Sequence, residues 1–190
     1  MSAGHIVLHE VGLRDGLQVE TTIVPTDTKL RWIEALSASG LDVVQVGSFV
    51  HPEKVPQMAD TDELFRRLTA PGAQRSGHAV YSGLVLNEKG LDRALACGVE
   101  MVCLGVSASE THSRKNTGMG TAEATERIIA TAKKAVAAGR KVQVSVQSAF
   151  GCGFEGNVSE EKVLDIARAY VDAGLLTIAL ADTAGHAYPE

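Results

Sequence analysis

Short apolar, β-branched runs alternate with helical segments along the whole chain, and this alternation limits the possible folds more than any other feature. The runs fall at residues 5–11, 41–46, 79–86, 101–106, 141–146 and 177–181, each followed by a Gly-rich or polar loop. Between them, apolar residues recur at helical spacing over residues 28–39, 60–68, 88–96, 121–138 and 159–173. Leu30, Ile33, Ala35 and Leu36 share one face of the first of these, after Pro25 and before a stop at Gly40. Glu123 and Glu126 near the start of the fourth, with Lys133 and Lys134 near its end, suit the helix dipole. Ser159 is placed to cap the fifth. Residues 47–58 and 107–120 read as long irregular loops. The repeat length is roughly 35–40 residues, with one shorter step, as expected of strand–helix units.

Helices between strands require parallel pairing with right-handed crossovers, which leaves an open doubly wound sheet or a (β/α)₈ barrel. The open sheet predicts a glycine-rich phosphate fingerprint after the first strand, but Gly12 and Gly16 do not make G-x-G-x-x-G. Polar residues instead follow many different strands: Arg14 and Asp15, Ser48, Asn87, Ser107, Gln147, and Asp182 with Thr183. Function spread over strand C-termini is the mark of the barrel. The expected fold is therefore α/β, a (β/α)₈ TIM barrel of which about six βα units are present. Residues 1–190 read as a single, incomplete catalytic domain.

Composition narrows the function classes. A net charge of −5 over 190 residues offers no basic surplus for phosphates, so no nucleic-acid partner is expected. No apolar run is long enough to span a bilayer, so no membrane partner is expected either. Cys97, Cys103 and Cys152 are odd in number and lack metal-finger spacing, which fits reduced thiols and a cytoplasmic location. Packing is the expected role of Cys152 in its loop.

The chemistry-bearing stretch is Glu10-Val11-Gly12-Leu13-Arg14-Asp15-Gly16-Leu17-Gln18-Val19-Glu20. A carboxylate beside a guanidinium, on a Gly-flanked loop leaving a strand, is the combination a metal-and-anion site needs. The two glycines are expected to allow positive φ and a close approach to ligand. His51, His112 and His186 lie near the same barrel mouth, but none makes a metal-ligand pair with another.

These motifs resemble the 3-hydroxy-3-methylglutaryl-CoA lyase family of metal-dependent barrels. The resemblance rests on the Glu10–Gln18 stretch and on Gly47-Ser48-Phe49-Val50 through Val55-Pro56-Gln57-Met58-Ala59-Asp60. It extends through Ser107-Ala108-Ser109-Glu110, Arg114-Lys115-Asn116, Phe150–Gly156 and Asp182-Thr183-Ala184-Gly185. It implies retro-aldol cleavage of an acyl-CoA 3-hydroxy acid with Mg²⁺ or Mn²⁺ bound, and a possible homodimer. By that resemblance Asp15 is a metal ligand and Arg14 is the cation stabilising the enolate oxygen. Gln18, Ser48, Thr183 and Asn116 would contact substrate. Asp182 is a further catalytic acid, and Glu10 and Gln45 stand behind Arg14 and the metal. Arg114 and Lys115 either meet the CoA nucleotide or form a solvated face.

The sequence departs from the family where Gln45 replaces a Glu, and more mildly at Leu13 for Pro and Thr21 for Lys. A neutral amide cannot serve as a base or hold Arg14 by charge, so a related substrate such as citramalyl-CoA is an alternative. The family's His-x-His and Asn metal ligands and reactive Cys are expected beyond Glu190, in the last third of a full-length enzyme. A reading of a different class makes the chain an inactive barrel piece that serves as a binding or assembly partner.

Overall fold

A computed structural model describes residues 6–188 and divides the chain into two compact units. The first takes the chain up to Val85 together with Lys89–Met101; the second takes Leu86–Glu88 and the chain from Val102 onward.

In the first unit, β1 (His9–Glu10), β2 (Val43–Ser48) and β3 (Val80–Leu84) lie side by side in chain order, all parallel. Every residue of β2 is buried, as a β-branched run covered on both faces requires. Its register against β3 shifts between Gln45 and Gly47, a bulge that re-aims the side chains at the strand's C-terminal end. The connecting helices are α1 (Thr26–Ala38) and α2 (Thr61–Leu68), and α3 (Glu88–Ala96) follows β3. Ile33, Val44, Val46, Leu64, Phe65 and Leu91 form the core.

The second unit carries β4 (Met101–Ser107) from Val102 on, α4 (Glu110–Thr117), α5 (Thr121–Ala137), β5 (Lys141–Gln147), α6 (Glu160–Asp172) and β6 (Ile178–Leu180). Strand neighbours again follow chain order, and β5 pairs with β6 in parallel, Val144 opposite Ile178 and Val146 opposite Leu180. Leu104, Ala132, Val144, Val146 and Tyr170 fill its core. Chain-order neighbours are those of a barrel wall rather than of a doubly wound sheet. The fold class is α/β, with six strands among the described residues. No helix among them is long and apolar enough to cross a membrane.

The structure corrects the sequence reading in four places. The first strand is two residues long: Ile6, Val7 and Leu8 are 77, 58 and 57 % exposed, because only His9 and Glu10 stand opposite β2. His5, expected in that strand, lies outside the described residues. Gly12–Gly16 is a turn of π-helix rather than an open loop, and neither glycine takes positive φ. The polar stretch 107–120 contains α4, capped by the Ser109 hydroxyl accepting from the His112 amide and closed by Gly118 at φ 77°. At α6, Ser159 holds the N-cap position without a side-chain bond, so Glu160 and Glu161 in the first turn are left to complement the helix dipole. The 47–58 segment is irregular apart from a short 3₁₀ turn at Pro56–Met58.

Candidate functional site

In the first unit the π-helical turn presents the charged pair. Leu13 is buried and anchors the turn, while the Arg14 and Asp15 amides both donate to the Val11 carbonyl, at 3.0 and 2.7 Å. Arg14 is thereby turned toward β2, where its Nε donates to Gln45 Oε1 at 2.6 Å. Its Nη1 donates to Asp15 Oδ1, also at 2.6 Å. Gln45 is buried and the Asp15 side chain is 66 % exposed, so one partner fixes the guanidinium from within and the other faces solvent. Glu10 does not touch Arg14; its Oε1 accepts the Gly12 amide at 2.5 Å, folding the turn back on the strand. Gln45, a neutral amide, therefore orients Arg14 by a hydrogen bond.

Gln18 Oε1 and Ser48 Oγ are buried without a partner among the described residues. A buried polar atom without a bond is costly, and such atoms at strand C-termini are where a ligand would supply the missing partner. The sequence reading missed His9, whose Nε2 lies 3.0 Å from Ser82 Oγ, and Thr61, whose hydroxyl meets the Ser48 amide. A serine inside the buried run Val80–Leu84 was the one available signal for the first. Nothing local marked the second.

In the second unit Asp182 is committed to its own loop. Its Oδ2 accepts the Ala187 amide at 3.0 Å and its Oδ1 the His186 amide at 2.8 Å, and these bonds hold the carboxyl below its ordinary range. Thr183 Oγ1 accepts the Ser148 amide at 2.8 Å, and Ser148 itself has φ 55°, uncommon for a residue with a side chain. Asn116 is exposed on α4 and borders a cleft with Asn87, Ser107, Arg127 and Gln147. Arg114 pairs with Glu110 at 2.6 Å, and Lys115 Nζ lies 4.4 Å from the Phe154 ring centre, so both cations have intrachain partners.

Cys152 is buried in a loop closed by mutual backbone bonds with Gly156. Burial pushes its thiol up, but hydrogen bonds from Ser109 and from the Phe154 and Glu155 amides outweigh this and leave it below the ordinary thiol range. His112 stacks on Phe154 with ring centres 6.4 Å apart, while His51 and His186 are exposed.

Hard divalent cations take six or more oxygen ligands; Ca²⁺ draws several from carboxylates and carbonyls, whereas Mg²⁺ keeps several waters beside one or two carboxylates. No group of three or more His, Cys, Asp or Glu side chains is placed to hold a metal among the described residues. Among the described residues Asp15 is the carboxylate paired with Arg14, and by itself it does not make a divalent-ion site.

A family model described as HMGL-like matches residues 5–190. Hydroxymethylglutaryl-CoA lyase YngG of Bacillus subtilis is 35 % identical over 184 residues, covering 97 % of this chain and 60 % of that protein. The human mitochondrial hydroxymethylglutaryl-CoA lyase is 38 % identical over 180 residues, covering 95 % and 54 %. A crystal structure of the Bacillus subtilis HMG-CoA lyase matches with a TM-score of 0.90 at 35 % identity over 97 % of this chain and 60 % of that one. An HMG-CoA lyase from Acinetobacter baumannii, in complex with coenzyme A and 3-methylmalate, matches with a TM-score of 0.87 at 37 % identity over 96 % and 58 %. The chain thus spans little more than half the length of the relatives it matches. The family model covers nearly the whole of this chain, and the chain belongs to the HMGL-like family.

Proposed function

We propose that this chain is the Arg14-bearing part of a carbon–carbon lyase that cleaves 3-hydroxy-3-methylglutaryl-CoA to acetyl-CoA and acetoacetate. The observation that carries the reading is the guanidinium of Arg14, fixed by buried Gln45 at 2.6 Å and by Asp15 at 2.6 Å. Nε and Nη1 are engaged, and Nη2, with no hydrogen-bond partner among the described residues, would donate to a ligand oxygen. In a retro-aldol cleavage a general base takes the C3 hydroxyl proton and C3 becomes the ketone. The C2–C3 pair moves into the thioester as an enolate, which is then protonated at C2. Negative charge develops on the thioester oxygen, and a preorganised cation there lowers the barrier.

Ser48 and Gln18, with buried oxygens lacking partners, would meet polar groups of the substrate. Asn116, Thr183 and Asp182 are proposed as further contacts. Asp15 is proposed as this chain's one ligand to Mg²⁺ or Mn²⁺, in a site that other residues of the whole protein would complete. Glu10 and Gln45 set the turn and the guanidinium behind it. A single, incomplete TIM-barrel catalytic domain over residues 1–190, a cytoplasmic location and homodimerisation belong to the same proposal.

The test is acetyl-CoA release by the full-length protein carrying this chain, with 3-hydroxy-3-methylglutaryl-CoA and citramalyl-CoA offered in parallel. Cleavage of the former, lowered by about 10²–10³ in an Arg14→Gln variant, is the expected result. Cleavage of citramalyl-CoA alone would overturn the substrate, and an Arg14→Gln variant as fast as its parent would overturn the mechanism.

A further inference from the structure

Ser48 ends β2, is wholly buried, and keeps a hydroxyl without a partner among the described residues. Its backbone amide has a related problem. The last β1 pair is Glu10 opposite Val44, so β1 stops short of Ser48, and on the other edge it is Phe49 whose amide reaches the Leu84 carbonyl, at 2.8 Å. The Ser48 amide thus emerges past the end of its strand neighbour, just beyond the bulge at Gln45/Gly47. A buried amide left there without an acceptor would let the strand end shift.

Thr61 closes the gap. Its Oγ1 accepts the Ser48 amide at 3.2 Å and donates to the Met58 carbonyl at 2.8 Å, so one hydroxyl satisfies two buried backbone groups. Thr61 is fully buried at the first residue of α2, and it stands so close to β2 that a Cβ on Gly47 would fall 2.5 Å from its Oγ1. The start of α2 is anchored in turn from behind. Asp60 binds Lys29 Nζ at 2.6 Å and the Thr26 hydroxyl at 3.0 Å, and the Gln57 side chain donates to the Glu20 carbonyl at 2.7 Å. We infer that Thr61 is a positioning residue, holding the end of β2 so that the Ser48 hydroxyl stays presented to an oxygen of the acyl-CoA substrate. The inference rests on the lyase reading above for the identity of that ligand.

A double-mutant cycle on the full-length protein tests it. Affinity for 3-hydroxy-3-methylglutaryl-CoA is measured by calorimetry in an Arg14→Gln background, where turnover is suppressed, together with hydrogen exchange at the Ser48 amide. Ser48→Ala and Thr61→Val are each expected to weaken binding about tenfold. The double variant should be no weaker than Ser48→Ala, because Thr61 acts through Ser48. Thr61→Ser should restore both affinity and amide protection, and Thr61→Ala takes the valine variant's place if that does not fold. Unchanged affinity in Thr61→Val, or losses that multiply in the double variant, would overturn the inference. A parent protein that binds the thioester without cleaving it would sink the lyase reading while the cycle still decides the role of Thr61. Absence of binding to the protein with Arg14 intact would overturn both.

Discussion

Replacing Lys29 by Met would remove a buried cation while nearly keeping its shape. The Lys29 side chain is 2 % exposed and Asp60 18 %. Its ammonium makes two bonds of 2.6 Å, to Asp60 Oδ1 and to the Gln57 carbonyl. The variant leaves both oxygens without their donor. Breaking one side of a buried pair costs about 3–5 kcal/mol, because the remaining charge stays desolvated. Asp60 keeps some solvent access and its bond from Thr26, which places the expected loss at the low end, about 3 kcal/mol. For a chain of this size that lowers Tm by about 6–12 °C. The assay is urea unfolding followed by circular dichroism, with the m-value checked for constancy. A Lys29→Met/Asp60→Leu double variant should recover most of the loss, since apolar replacement of a whole buried pair is often neutral or stabilising. A single variant that costs less than about 1 kcal/mol, or a double variant no better than the single, would refute the electrostatic argument.

Three further outcomes follow from other parts of the molecule. Gln45→Leu removes the buried acceptor of Arg14 and should cost about 1–3 kcal/mol in urea unfolding; acetyl-CoA release should fall by about 10–100-fold, and a variant as active as its parent would show that Gln45 does not orient the guanidinium. Gly47→Ala drives a methyl to 2.5 Å from Thr61 Oγ1 and should destabilise by about 1–3 kcal/mol, with partial relief when Thr61→Ala is added. Burial pushes the Cys97 thiol from 9.0 up to about 11, with the nearby Asp62 carboxylate adding to the effect. Below the unfolded value both states keep the proton and nothing is lost. Between pH 9 and 11 the unfolded chain ionises first, so stability should fall by about 2–3 kcal/mol, and urea titrations of Cys97→Ala should show a flatter profile across that window.

The strand–helix alternation was legible because burial on both faces demands unbroken apolar runs and amphipathic helices demand a 3.6-residue period. Hence residues 88–96 were read as a helix to the residue, and β2 to within two. The misses came where local composition and tertiary context disagree. Residues 6–8 look like strand, yet the ladder with β2 pairs only His9 and Glu10, and Leu8 contributes no more than its carbonyl, to the Val43 amide. Glu110–Thr117 looks like loop, yet the Ser109 cap, the Glu110–Arg114 pair and the left-handed Gly118 stabilise a polar helix. Gly12 and Gly16 suggested positive φ, whereas the burial of Leu13 winds the turn helically.

At the site, sequence alone determined the chemical inventory: adjacent Arg14 and Asp15 after the first strand, and Ser48 at the end of the second. Adjacent residues on a short turn have few ways to part, so their pairing is a local matter. Only the tertiary structure decided that Gln45, 31 positions away, holds Arg14. It also decided that Glu10 serves its own turn, that Lys29 is buried, and that Thr61 lies against Ser48. Those contacts depend on strand register and on which helix face meets the sheet. Both are set by packing over the whole unit, which no single stretch of sequence contains.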